Sequence, residues 1–593
     1  MSRSTDVTPR VPWLLLWGLL GALVLLRALA PLPRTMWAWG LDAPRFLGPA
    51  SAWIPGLLAA LLLVPAVARP LLRGLLRLAR PLSGRTATSA SVAAFFTVAA
   101  VWLLPDRLGY VGDCLLRRGL INVAADAGRL FPQATPLELM LHAWLPRQLV
   151  AVGLDAATAD RLLGAADAAL LAVLAVLFVR ALRLGGAAAI AAWTLVVCGG
   201  HLAGMGGCGK VFPELAVLAV AAAFFAVRED ADGRHLAALA LCTALGLGLH
   251  RSGLVFLPLL AWAWIEWARA HGREAWRPLP ARLAGFLTLL ALGLLPGVAR
   301  TLASRRDALH LALPAIARDG FLRATFAGTR AADLGNLLLL LAPLALAIPL
   351  LLVASPRPFA SRTTRMLAAL ALPAGGVLLF VHPAQGLFRD WDVFFLSGAT
   401  LCLFAAWLVG RLLQEQPRAA WLALAVSAAA AGPTFQWLQL DADLERGLAH
   451  TRALVLEAPE RDAAESAATW NFLGQQDFAR GEWDRCADDY EQAVRLSPSP
   501  RLLTEWGLAR QHLGDLVGAR RLYARAVRLD PGFVGGWMGI GACSIRLGDI
   551  ANAEYALRAL EQLDPGNPEV AELVPFLRRR SPLSADRRTI PGG

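Results

Sequence analysis

Apolar runs recur through the first 436 residues, near 11–32, 51–68, 89–105, 166–182, 187–204, 211–227, 236–249, 253–268, 284–300, 335–353, 366–381, 393–410 and 419–436. A straight membrane span needs about 20 apolar residues. Shorter or Gly/Pro-interrupted runs are tolerated where protein, not lipid, surrounds them. The pattern therefore predicts a polytopic bundle of about thirteen membrane helices. The first run lacks a small-residue cleavage site and is followed by many more, so it reads as retained. Arginines gather in three loops that fall on one side of the membrane if the N-terminus is inside: Arg69, Arg73, Arg77, Arg80 and Arg85, then Arg269, Arg273, Arg277 and Arg282, then Arg357, Arg362 and Arg365. Short basic loops stay cytoplasmic. The N-terminus is thus expected inside, and an odd span count puts the C-terminus outside.

After Trp437 the apolar runs give way to helical periodicity with a repeat. Gly474, Gly507 and Gly541 recur at 33 and 34 residues, as do Gly481, Gly514 and Gly548, and Pro498, Pro531 and Pro565. This period resembles the tetratricopeptide (TPR) repeat. Trp470, Gly474, Tyr490, Ala493 and Pro498 fall on family positions in the first unit, and Gly507, Ala519, Tyr523, Ala526 and Pro531 in the second. The third keeps Trp537, Gly541, Ala553 and Pro565 but has Leu557 where an aromatic is usual. The expected fold class is all-α, a membrane bundle followed by a TPR-like solenoid. Its parts would be 1–88, two spans and a basic loop; 89–436, the main membrane domain; 437–465, a linker helix; 466–577, the repeats with a short cap at 569–577; and 578–593, a disordered basic tail. The repeats' concave face, with Asn471 and Gln475, would take a protein or an acceptor.

Composition sharpens this division. The chain has 593 residues, 57% hydrophobic and 17% charged, with a net charge of +13. An average soluble domain carries about 25% charged residues, so an ordinary soluble enzyme is excluded. Residues 1–436 hold 38 basic and 21 acidic side chains, and residues 437–593 hold 19 and 23. Lys210 is the only lysine. The basic residues lie scattered between apolar runs, which does not make a nucleic-acid footprint. The seven cysteines show no close C-x-x-C pair, so neither a disulfide framework nor a zinc site is expected.

The unusual polar residues of the membrane part gather on the predicted external side. VWLLPDRLGYVGDCLLRRG puts Asp106 and Asp113 just past the third run, and FPQATPLELMLHAWLP follows with Glu138 and His142 one helical turn apart. GGHLAGMGGCGKVFPE brings six glycines, Lys210 and Glu214; exposed amides beside a lysine suit a phosphate. LHRSG adds His250 and Arg251, the loop 301–334 adds several arginines, and VHPAQGLFRDWDVF adds His382, Arg389, Asp390, Trp391 and Asp392.

These features resemble the GT-C class of multi-spanning glycosyltransferases, over about residues 89–400. In that class an acidic residue in the first large external loop is the catalytic base, and a Pro-Leu element follows near the loop's end. Asp113 and Pro136–Leu137 occupy the matching places; the two spans before residue 89 depart from the pattern. The resemblance implies a sugar donor carried on polyprenyl phosphate, an extracytoplasmic acceptor (glycan, lipid or protein), membrane lipids as surroundings, and a bacterial inner membrane. It casts Asp113 as base, with Asp390 and Asp392 sharing catalysis or holding a divalent metal ion. Lys210, Arg389, Arg251, His382, Glu138, His142 and Glu214 would bind donor or substrate.

Each residue also has a plainer reading. Asp113 can pair with Arg117 or Arg118, Glu138 and His142 can form the polar face of an interfacial helix, and Lys210 can snorkel from an ordinary turn. Glu214 inside the membrane boundary needs a partner, with Lys210 or an arginine in reach. Asp390 can cap the next helix, and Trp391 can be an interface anchor or a sugar-stacking surface. A transporter would show repeated halves and midplane charges, which are absent here. The alternative is a non-catalytic or ligase-like component of surface-polysaccharide assembly that docks partners on its repeats.

Overall fold

A computed structural model describes residues 11–121, 131, 134–207, 209–228, 233–272, 318, 320–383 and 385–563. The predicted run 284–300, Asp126, most of the loop 301–334, the cap 569–577 and the tail 578–593 lie outside the described residues. Among the described residues every regular element is helical. The chain divides into two compact units, residues 1–450 and 451–593.

Each described apolar run contains a helix. Among the described residues five helices are long and apolar enough to cross a bilayer: Pro12–Leu29, Thr86–Leu103, Ala156–Ala181, Arg362–Phe380 and Trp391–Glu415. Counting two bent pairs as one span each makes seven. Apolar windows register composition, whereas crossing demands uninterrupted length. Phe212–Val227 and Arg234–Leu249 have 16 residues each, about 24 Å at 1.5 Å per residue, short of the roughly 30 Å hydrocarbon core. The run 335–353 breaks after Leu341 and resumes at Ala347. The run 51–68 bends by 97° between Pro49–Leu62 and Pro65–Pro81. The stretch expected as a basic loop after it is instead a helix, Pro65–Ser83, carrying Arg69, Arg73, Arg77 and Arg80 at helical spacing.

The first unit packs around Ala156–Ala181, Phe212–Val227 and Phe395–Glu415. Their contact faces are small residues, among them Ala168, Ala172, Ala216, Ala219, Ala223 and Ala406, all fully or nearly fully buried. Small side chains let helices approach closely where no hydrophobic effect drives association. At one end of this bundle the connecting segments 104–114, 199–211 and 382–394 meet, held by Asp106 N–H donating to the Gly206 carbonyl (2.9 Å) and Gly112 N–H donating to the Arg389 carbonyl (3.0 Å).

The second unit is the TPR-like solenoid. Ala463–Ala479 pairs with Trp483–Leu496, Pro500–His512 with Leu516–Leu529, and Val534–Arg546 with Ile550–Leu563. Gly481, Gly514 and Gly548 close the three intra-pair turns at φ +73°, +83° and +74°, a left-handed conformation natural to glycine. A Cβ at Gly474 would stand 3.0 Å from the Tyr490 ring, and one at Gly507 2.7 Å from Tyr523. The repeated glycine thus admits the repeated aromatic. The third unit has Leu557 in place of the aromatic, and there Gly541 meets only Ala556 at 3.8 Å. Asn471, expected on the concave face, is buried and accepts from Arg501 of the next repeat (3.4 Å).

Candidate functional site

The site begins with Gly112, at φ +55° in the segment after Thr86–Leu103. A side chain at 112 would displace the lysine: an added Cβ would fall on Lys210 Nζ and lie 3.0 Å from Asp392 Oδ2. The missing side chain lets Lys210, buried, reach Asp392 with a bond of 2.7 Å. Asp392 is also buried, and its Oδ1 has no hydrogen-bond partner among the described residues.

Asp113, the next residue, accepts from Gln385 Nε2 at 3.1 Å. Burial would raise its pKa, but the charges of Lys210, Arg117 and Arg389 and the Gln385 bond outweigh it and hold the carboxyl below the ordinary carboxylate range. Asp113, Lys210 and Arg389 therefore converge, joined by Asp390 and Asp392. Asp390 is pushed up to about 7 by burial and by the charges of Asp392 and Asp113, against the pull of Lys210 and Arg389. Two neighbouring carboxyls are thus driven apart, one held ionised and the other half-protonated near neutral pH. Such separation sorts acid and base roles in enzyme sites. The Arg389 guanidinium lies 5.4 Å from the Tyr110 ring centre.

A second polar group adjoins the first through Arg117, which bonds Glu138 at 2.8 Å. Glu138 and His142 do share a face. The helix through them runs as Pro136–Leu139, a π-helical turn Met140–Trp144, then Leu145–Ala151. Both are buried and line one small cavity with Arg117, Phe131 and Arg147. π-turns are frequent at functional sites.

Several expected partnerships are corrected. Arg117 takes Glu138 and Arg118 approaches Asp160 at 3.5 Å, so neither forms an ion pair with Asp113. Glu214 meets His142 at 2.9 Å, not Lys210. Asp390 donates no helix cap; its Oδ2 accepts from Gln385 N–H at 3.2 Å. Trp391 is neither an interface anchor nor a stacking surface: it is buried against Phe395 and Trp437, with ring centres 5.3 and 5.7 Å away. The glycines at 199–209 serve packing, not a phosphate cradle. A Cβ at Gly204 would fall in the Phe395 ring, one at Gly199 would stand 2.6 Å from the Leu341 carbonyl, and one at Gly209 2.7 Å from Asp160. Cys114, adjacent to Asp113, is disulfide-bonded, a bond that the cysteine spacing, which pointed to no disulfide framework, did not signal.

Arg251 is exposed at the start of a short 3-10 turn; the positive charges acting on Asp113 are those of Lys210, Arg117 and Arg389. His382 faces Arg330, and burial with that charge lowers it to about 4, so it is neutral at physiological pH. Gln385 and Asp160 went unrecognised in the sequence, and Arg117 was read only as a pairing partner for Asp113. Gln385 had a signal, since it sits inside the VHPAQGLFRDWDVF motif; Asp160 opens an apolar helix and had none. Among the described residues no group of three or more His, Cys, Asp or Glu is placed to hold a metal ion.

No known family model matches the chain. No curated protein matches it either. Among solved structures, the TPR domain of Arabidopsis OM64 is similar, with 18% identity over 20% of this chain and 98% of that one, at a TM-score of 0.19.

Proposed function

We propose that the protein is a membrane glycosyltransferase that moves a sugar from a polyprenyl-phosphate donor to an extracytoplasmic acceptor. The observation that carries this reading is an ionised Asp113 set beside Lys210 and Arg389 where three interhelical segments meet. A polyprenyl tail must stay in lipid while its phosphate and sugar emerge at a bundle end, which is where this cluster lies. The Asp113 carboxylate accepts the proton of the acceptor hydroxyl. That oxygen bonds to the anomeric carbon as the bond from carbon to phosphate oxygen breaks. The polyprenyl phosphate departs with the electron pair, its charge met by Lys210 and Arg389.

Among the described residues no third His, Cys, Asp or Glu groups with Asp390 and Asp392 to hold a divalent cation. The reading therefore assigns the leaving-group charge to the two cations. Arg117, Glu138, His142 and Glu214 would bind the acceptor in the adjoining cavity. An external mouth is favoured by the disulfide at Cys114, because such bonds persist in oxidising compartments, and by the arginine-rich segments on the opposite side. The repeats would hold a protein partner, the usual task of this architecture.

The test is transfer by purified protein from a polyprenyl-phosphate sugar. Wild type should use that donor and ignore the nucleotide sugar, and Asp113→Asn should be inactive. A wild type inert with every lipid-linked donor, while the repeats still capture an assembly partner, would favour the non-catalytic alternative.

A further inference from the structure

Away from the carboxylate cluster, the first helix carries an arginine inside an apolar stretch. Arg27 lies in Val11–Leu29, which has no acidic residue. Its Nη1 donates to the Ala429 carbonyl at 2.9 Å and its Nη2 to the Leu339 carbonyl at 3.5 Å, while its Nε is buried without a partner among the described residues. Two carbonyls do not neutralise a guanidinium. An arginine at membrane depth is costly and calls for an anion.

The same side chain lines a cavity of about 360 Å³, within the size range of small-molecule sites. The rest of its wall is nearly all apolar, from Leu23 and Val24 of the first helix, Trp53 and Gly56 of Pro49–Leu62, and Pro433 of Leu422–Ala442. Gln436 adds an amide, already engaged with the Ser51 and Ala52 carbonyls. Among the described residues no acidic side chain lines it. The flank around the cavity is greasy and exposed: Leu25, Leu26, Leu29, Trp53, Ile54 and Leu57 all face outward. Such a flank suits lipid contact.

We propose that this groove binds one anionic phospholipid, with an acyl chain along the apolar wall and the headgroup phosphate on Arg27. The guanidinium fork matches a phosphate, and its three N–H groups not engaged with the two carbonyls, Nε–H among them, supply charge-assisted bonds. This site is separate from the Asp113 cluster and does not rest on the transferase reading.

The experiment is thermal melting and native mass spectrometry of the full chain in uncharged detergent, with phosphatidylglycerol, phosphatidylcholine or inorganic phosphate added. Phosphatidylglycerol should raise the melting temperature more than phosphatidylcholine and be retained about tenfold better, the equivalent of one added charge-assisted contact. Arg27→Gln should erase the preference. Gly56→Leu should fill the groove from a position where an added Cβ meets nothing within 4 Å, and should remove stabilisation by both lipids without lowering the lipid-free melting temperature. Equal retention of the two lipids by wild type overturns the proposal. So does a preference that survives Gly56→Leu, or stabilisation by inorganic phosphate alone. If Arg27→Gln does not fold, Gly56→Leu and the charge-retaining Arg27→Lys decide: preference lost in the first and kept in part in the second supports the site.

Discussion

Gly112→Ala is the sharpest perturbation of the cluster, because it adds one methyl group and no charge. Two costs follow. Residue 112 sits at φ +55°, and a left-handed conformation costs a non-glycine residue about 1–2 kcal/mol. The new Cβ also takes the place of Lys210 Nζ. Lys210 is flexible and can swing away, but only by leaving Asp392, its partner at 2.7 Å in a buried site. Breaking a buried ion pair costs about 3–5 kcal/mol. The total expected is about 4–7 kcal/mol, against about zero for Gly119→Ala, where an added Cβ meets nothing within 4 Å. The assay is a double-mutant cycle on thermal or denaturant melting in detergent. In a Lys210→Ala background the pair is already lost, so Gly112→Ala should cost only its backbone part, giving a coupling of about 3 kcal/mol or more. Additive costs would refute the claim that Gly112 exists to seat Lys210.

Three further outcomes follow from the same contacts. Asp390, at about 7 instead of 3.8, binds a proton more tightly folded than unfolded, so its stabilising share is complete below about pH 4 and is lost as pH rises through 7. Between pH 5 and 8 Asp390→Asn should gain about 3 kcal/mol on wild type, at about 1.4 kcal/mol per pH unit up to 7; a constant difference in paired melts contradicts this. In the repeat unit Arg452 bonds Asp489 at 2.6 Å and Asp477 at 3.1 Å, and both acids are buried. Arg452→Ala should destabilise that unit by about 3 kcal/mol or more, recovered in part by Asp489→Asn, as read from its melting transition. Cys114→Ser should lower stability by about 2–5 kcal/mol, and reductant should do the same to wild type while leaving the variant unmoved.

The solenoid was legible because its constraints are local. A glycine that must accept an aromatic ring, and a glycine at positive φ, recur every 33 or 34 residues whatever the rest of the chain does. The membership of the cluster was legible too, since Asp113, Lys210, Arg389, Asp390 and Asp392 are rare polar residues at the ends of apolar runs. Their pairing was not. Lys210 and Asp392 are 182 residues apart, and Glu214, expected to pair with Lys210 or an arginine, meets His142. Which pair forms depends on how helices stack, a tertiary property. The glycines between 199 and 209 misled for a related reason: absence of a side chain reads equally as room for ligand or room for protein, and here Phe395, Leu341 and Asp160 take the space. Among the described residues, proline and glycine divide some apolar runs into pieces that composition alone merges.

The central claim is that Asp113 is the base of a lipid-linked transfer. It is tested most directly by measuring donor binding and transfer in one preparation of Asp113→Asn. Asparagine keeps the size of the side chain and can still bond Gln385, but accepts no proton. The account predicts that the variant melts near the wild-type temperature, binds the polyprenyl-phosphate sugar, and transfers it about 10²–10⁴-fold more slowly. Transfer at the wild-type rate by the folded, donor-bound variant would contradict it.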